Sequence, residues 1–263
     1  MSSNHYNKLD NLYTKTEIDT LIENIGGSDL GNYQDISLGD HVTETQSANI
    51  ANGRFKDLPL GAYWYMNNTK YRIMAQDQFY GYNGISTHHV VVMPTDSYGG
   101  SRYNAYNNDT NVGGYVSSLL KTYVENSIYT MITNDFGENH ILSHTHDLTS
   151  GTYNNGTLTP TTNTKAWLIN SYNLNGSKYT NETNYNWQNA DKVQFPTFYY
   201  NPDLKKLKYG GSIGRVWWLG TSANTSYRSF CYVDTGGSIG TAGSTYRYSD
   251  YVDVSVQPAF LVY

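Results

Sequence analysis

The chain has 263 residues, room for one large domain with a small appendage. Charged residues make up 15%, below the usual quarter, yet 27 tyrosines supply aromatic area for a core, so the chain is not of the disordered class. A net charge of -5 speaks against a nucleic-acid-binding surface, and a single cysteine, Cys231, excludes an internal disulfide framework and a cysteine-based zinc site.

Residues 1–13 are polar. Thr14-Lys15-Thr16-Glu17 then reads as a capping box, with Tyr13 and Ile18 placed to staple it. Ile18, Leu21, Ile22 and Ile25 follow at helical spacing, and Gly26-Gly27 ends the segment, so residues 1–27 carry a short N-terminal helix. A helix of about three turns does not hold alone. Its stripe needs the main domain or further copies of itself, which marks Ile18, Leu21, Ile22 and Ile25 as candidate oligomerisation residues. Residues 28–54 are polar and read as an extended linker or arm.

The globular part opens at Phe55. Tyr63-Trp64-Tyr65 and Lys70 to Met74 predict a hairpin around Asn67-Asn68-Thr69, and Thr87 to Met93 predicts a buried strand stopped by Pro94. Gly113-Gly114-Tyr115 leads into a helix over Val116–Ile132, on the spacing of Val116, Leu119, Leu120, Tyr123, Val124 and Ile128. A strand is expected around His140-Ile141-Leu142. Residues 149–190 read as a long insertion with turn chemistry at Asn155-Gly156 and Asn175-Gly176, anchored by Ala166-Trp167-Leu168-Ile169.

The last fifty residues have apolar ends, Arg215 to Leu219 and Val256 to Val262, which read as core strands. Between them lie polar segments, Thr221 to Ser229 and Ser244 to Tyr251. Tyrosine offers large amphipathic contact area at low entropy cost, and Ser and Asn offer adaptable hydrogen bonds, so these segments read as a display surface. The candidate ligand-binding residues are Asn224, Ser226, Tyr227, Ser229, Tyr232, Tyr246, Tyr248, Ser249, Asp250 and Tyr251. Cys231, between Phe230 and Tyr232, reads as a small core residue.

Trp217-Trp218-Leu219, Phe230-Cys231-Tyr232-Val233 and Pro258-Ala259-Phe260 together resemble the C-type-lectin-like domain at the C-terminus of many phage tail proteins. His88-His89-Val90-Val91-Val92-Met93-Pro94 and the Gly113-Gly114-Tyr115 opening resemble that family too, so the likeness runs from Phe55 to Tyr263, interrupted by the insertion. Gly220 and Gln257 stand where the family carries arginines, and any ion pair made by those arginines does not carry over. Leu12-Tyr13-Thr14-Lys15-Thr16-Glu17-Ile18-Asp19 resembles a segment of phage tail fibre and baseplate proteins that precedes homotrimeric regions. The resemblance implies an α+β chain: a C-type-lectin-like domain behind a short N-terminal helix and extended linker. It also implies that Cys231 and Val233 face inward and Tyr232 outward. Some members are the variable proteins of diversity-generating retroelements, whose randomised outward positions carry residues of the kind found in the two polar segments.

The chemistry of other classes is weighed residue by residue. His144-x-His146 places two imidazoles on one face of a strand, with His140 nearby, and phage tail proteins use such pairs for ions at a trimer axis. Histidines in a polar loop read first as surface, so no metal and no cofactor is expected. Gln257-Pro258-Ala259 lacks the carboxylate of a calcium-dependent sugar loop. Formylglycine-generating enzymes share the fold but need reactive cysteines, and Cys231 stands alone in an apolar strand. Asp234, Asp250 and Asp253 read as solvated loop carboxylates, so no enzyme activity is expected.

No apolar run approaches a membrane span and no signal peptide precedes the first polar residues, so neither membrane insertion nor export is expected. The sequence therefore reads as a phage tail-tip or fibre adhesin, located in the virion tail and acting at the host cell surface. Its expected partners are a host receptor, protein or glycan, other phage tail proteins, and further copies of itself, a trimer being favoured. The alternatives are a structural virion protein that binds another phage protein and, behind it, a hydrolase of surface glycans.

Overall fold

The computed structural model describes residues 33–96, 99–104, 109–209, 213–244, 247–249 and 252–263. The expected N-terminal helix, with Ile18, Leu21, Ile22 and Ile25, lies outside these residues. What is described is a mixed α+β protein with several sheets and few helices.

The largest sheet has five strands: β1 (Ser37–Gly39), β2 (Tyr63–Met66), β3 (Thr69–Gln76), β4 (Val90–Pro94) and β14 (Phe260–Val262), in the order β1-β2-β3-β4-β14. The expected hairpin is present. Asn67 and Asn68 sit at φ 45° and 64°, the left-handed pair that a two-residue hairpin turn requires and asparagine tolerates. Val90, Val91 and Val92 are all buried, as befits a strand covered on both faces. Against them Phe260, Leu261 and Val262 pair antiparallel, so the C-terminal apolar run completes the sheet.

The linker expected at 28–54 is corrected from residue 33 onward. β1 pairs parallel with β2, and α1 (Glu44–Ala51) packs beside it with Ile50 buried. Thr43 caps α1 in a reciprocal box with Gln46, whose side chain also accepts from the Trp64 indole at 3.0 Å and donates to the Leu38 carbonyl at 2.9 Å. Buried Arg72 reaches the same segment, donating to the Gly61 carbonyl and to Asp35 Oδ1 at 3.0 Å. One apolar anchor and a polar network replace the amphipathic stripe that a sequence reading needs.

The long helix runs from Ser118, whose hydroxyl caps it, through α2 (Leu119–Tyr123), a π turn (Val124–Ile128) and α3 (Tyr129–Phe136). It starts later than expected because Gly113 to Ser118 form turns, and it runs on to Phe136, where Gly137 at φ 79° ends it. Its buried residues, Leu120, Val124, Ile128, Ile132 and Phe136, recur every fourth position. An α-helix drifts by about 40° over each such step, and the wider π turn takes up that drift. At its end Phe136 meets Tyr71, Phe260 and Trp64 edge-on at ring distances of 4.9, 5.1 and 5.8 Å, docking the helix on the sheet. The strand expected at residues 140–142 shrinks to a bridge between Ile141 and Val262.

The insertion is more ordered than expected. β5 (His144–Thr152) and β6 (Asn155–Thr164) form a hairpin with the turn at Tyr153 and Asn154, so Asn155-Gly156 lies inside a strand. A short helix, α4 (Ser171–Asn175), ends at Gly176 in the left-handed conformation, as the Asn175-Gly176 signal implies. α5 (Pro196–Tyr200) follows.

Two short strand pairs are β7 (Lys208–Tyr209) with β8 (Ile213–Gly214), and β12 (Arg247–Ser249) with β13 (Val252–Asp253). A three-stranded sheet has the order β11-β10-β9: β9 is Trp217–Ser222, β10 Ser229–Val233 and β11 Ile239–Gly243. Trp217 and Trp218 are fully buried, and the Trp218 N–H donates to the Ser255 carbonyl, so the two ends of the C-terminal region meet. A fully buried large side chain of this kind contributes about 2–3 kcal/mol.

Candidate functional site

The display surface expected from the sequence divides in three. Thr221, Ser222 and Ala223 are buried at the end of β9 and display nothing. Asn224 to Ser229 form the β9–β10 connection, with Asn224, Tyr227 and Arg228 exposed and Ser226 and Ser229 half-buried. The two serine hydroxyls bond each other at 2.9 Å. Tyr246, Asp250 and Tyr251 lie outside the described residues, while Tyr248 and Ser249 lie on β12, of which only the backbone is described.

A buried residue from elsewhere braces the turn. Asn111 donates through its side-chain amide to the carbonyls of Ser226 at 2.9 Å and Ser229 at 3.1 Å, with that of Ala223 at 3.5 Å, and its backbone N–H donates to the Tyr227 carbonyl at 2.6 Å. Above it, Arg228 Nη1 sits 3.3 Å from Asp109 Oδ2 and its guanidinium 4.8 Å from the Tyr227 ring centre. The turn is thus held by its backbone while Asn224, Tyr227 and Arg228 stay available. Tyr232 is half-buried, packed edge-on to Trp218 at 6.4 Å and laid over Gly240, where a Cβ would fall 2.8 Å from its ring. Cys231 and Val233 are fully buried, as expected.

The histidine pair is corrected. His144 and His146 are interior, the latter 2% exposed. His144 Nε2 lies 3.3 Å from His146 Nδ1, and His146 Nε2 lies 3.8 Å from Asp191 Oδ1. The His146 ring packs 4.4 Å from Trp167 and edge-on to Phe79 at 5.4 Å. Burial pushes the His144 imidazole down to about 4 and that of His146 well below its usual range, so both are neutral at pH 7. Burial likewise raises the Asp191 carboxyl to about 7, opposed by the Tyr82 hydroxyl and reinforced by the Asp147 charge. Among the described residues no three His, Cys, Asp or Glu side chains converge to hold a metal ion.

Beside this cluster, β6 and two loops enclose a groove of about 390 Å³. Asn83, Asp147, Thr157, Asn186 and Gln188 supply its polar lining, and Leu158 and Pro160 its apolar part. Asp147 is 5% exposed, and its backbone N–H donates to the Tyr82 hydroxyl at 3.1 Å. Its carboxylate receives no hydrogen bond from the described residues. Asp147 also borders an interior cavity of about 10 Å³, the size of one water molecule, next to His146, Trp187 and Asp191. Among the described residues, the Trp187 indole nitrogen and Asp191 Oδ2 have no hydrogen-bond partner within bonding geometry.

One loop, residues 181–188, joins turn and groove. Asn181 accepts from the Asn224 N–H at 2.8 Å, Thr183 donates to the Ser222 carbonyl at 3.0 Å, and the Tyr185 hydroxyl accepts from the Ser222 N–H at 3.1 Å. Further along the same loop, Asn186 and Gln188 reach the groove. Glu182 is wholly buried at the junction, neither carboxylate oxygen within hydrogen-bonding geometry of a described residue, and burial pushes its carboxyl up to about 7, opposed by nearby Ser171, Lys178 and Trp187. Sequence reasoning missed the groove because its residues come from three polar stretches that each read as loop. The available signal was Asn186-Trp187-Gln188, an aromatic anchor between two outward amides.

Fold and site together define an α+β protein that presents a braced polar turn and a polar groove on a rigid core. The chain belongs to the family described as a domain of unknown function, DUF6273, which matches residues 86–263. No curated protein and no solved structure matches the chain. The turn and nearly all of the groove lie within the matched residues. The folded unit extends upstream of them, because β4 is paired with β3.

Proposed function

We propose that this chain is a phage tail-tip or fibre adhesin, whose domain has a C-type-lectin-like fold and binds a ligand on the host cell surface. The observation that carries the reading is the Asn111-braced turn. A turn whose backbone is already ordered loses little entropy on binding, so its exposed Asn224, Tyr227 and Arg228 can convert contact into affinity. In this reading the N-terminal stripe gathers three copies, and multivalency raises a weak single-site affinity.

The test is binding of the purified protein to a panel of bacterial surfaces, beside a variant carrying Asn224→Ala, Tyr227→Ser and Arg228→Ala with its fold checked by circular dichroism. Strain-selective binding that the variant loses supports adhesion through the turn. Absence of binding to every strain, also in a multivalent form, sinks the reading and favours a structural virion protein.

A further inference from the structure

The groove between β6, Asn83 and the 186–188 segment has a chemistry of its own. Its volume falls in the range of roughly 300–1,000 Å³ typical of small-ligand sites. Three of its polar side chains, Asn83, Asn186 and Gln188, are neutral amides, each carrying donors and an acceptor. A sugar hydroxyl also donates and accepts, so amides match it without a charge. The fourth strong group is Asp147, more than nine-tenths buried and without a donor among the described residues. Its carboxylate lines the groove with acceptor capacity to spare, and ligand hydroxyls can donate to it. Among the described residues no Lys or Arg lines the groove, so an anionic ligand finds no counter-charge from them. Leu158 and Pro160 offer apolar surface for the C–H face of a ring.

The walls are fixed before any ligand arrives. Gly156 of β6 presses on the opposite loop so closely that a Cβ would fall 2.5 Å from the Asn184 carbonyl and 2.8 Å from the Tyr185 ring. Asn83, at φ 44°, donates to the Thr145 carbonyl at 3.4 Å, which sets one rim.

We propose that this groove binds a neutral saccharide, with Asp147 as the buried acceptor of two neighbouring ring hydroxyls and Asn186 and Gln188 as the outer clamp. The proposal rests on the adhesion reading and gives its ligand a chemical class. It assigns recognition to a second surface, joined to the turn by the 181–188 loop.

The test uses saturation-transfer NMR and calorimetry on the full chain with maltotriose, cellotriose, triacetylchitotriose and lactose as probes. A sialylated trisaccharide and a lysine-containing tripeptide serve as anionic and cationic controls. Saturable millimolar or tighter binding of a neutral probe is expected. Gln188→Ala and Asn186→Ala, both at exposed positions, should weaken it about fivefold each, and Asp147→Asn about tenfold or more. Tyr199→Ser, at an exposed position outside the groove lining, should leave it unchanged. The proposal is overturned if no neutral probe saturates, if only the tripeptide or the sialylated sugar binds, or if Gln188→Ala and Asn186→Ala bind as the parent does. Cell binding without sugar binding removes the saccharide site and leaves adhesion standing. Sugar binding without cell binding does the reverse.

Discussion

The turn at Asn224–Ser229 and the hairpin region around His144 and His146 are both polar stretches, and they are stabilised by opposite means. The turn is held by a neutral amide, Asn111, whose bonds to backbone carbonyls do not change with pH. The hairpin region rests on buried titratable groups, two imidazoles depressed and the Asp191 carboxyl raised by the same loss of water. The difference teaches that two polar segments of similar composition can be rigid at every pH or only in a window. What decides is whether the buried partner can take up or lose a proton.

The largest effect is expected from Asn111→Ala, which strips the turn of its brace. Three carbonyls and the methyl-for-amide gap should cost about 4 kcal/mol, read as a lower urea midpoint, with new protease cleavage between Asn224 and Ser229. If the turn stays resistant, the brace is not what orders it.

Glu182→Gln probes the buried carboxyl at the junction between the two regions. With the folded carboxyl near 7 and the unfolded one at 4.5, the unfolded chain ionises first as pH rises, so the parent loses stability across that window and bears the full cost above it. The variant should be more stable at pH 8 by on the order of 3 kcal/mol and nearly unchanged at pH 4.5. Equal denaturation curves at pH 8 would show that the carboxylate is compensated.

His144→Phe tests the acid limb. An imidazole held near 4 stays neutral while the unfolded chain takes up a proton below 6.5, so stability falls as pH drops from 6.5 towards 4. Removing the imidazole should flatten that limb by on the order of 2 kcal/mol in urea titrations at pH 7 and pH 4.5. The smallest effect belongs to Arg228→Ala at the exposed tip of the turn. Its thermal midpoint should match the parent within the roughly 0.5 kcal/mol typical of surface changes, which makes it a clean binding probe.

The parts legible in the sequence are those where local chemistry and burial agree. Asn67-Asn68 announced its hairpin because few other residues accept two left-handed positions, and Val90 to Met93, Trp217 to Leu219 and Phe260 to Val262 announced core strands by apolar content. The capped helix Glu44–Ala51 was invisible because Ile50 is its one buried residue. The β5–β6 hairpin reads as loop in the sequence because Thr, Ser, Asn and Gly dominate it, although threonine is β-branched and suits a strand. His144 and His146 were placed on the surface for the same reason, and only the packing of Trp167 and Phe79 takes them inside. Of the candidate binding residues, Asn224 and Tyr227 are where the sequence put them, while Tyr232 is half-covered through Trp218 and Gly240, neither adjacent in the chain.

The pairing of Phe260–Val262 with Val90–Val92 has a consequence for how the molecule is made. Most of the domain is synthesised between the two strands, and throughout that time Val90-Val91-Val92 is a bare apolar edge. Such an edge is a template for pairing with any neighbouring chain. Copies emerging close together on one message are therefore exposed to mispairing until Phe260–Val262 arrives, and slow translation of residues 95–259 should lower the yield of folded protein.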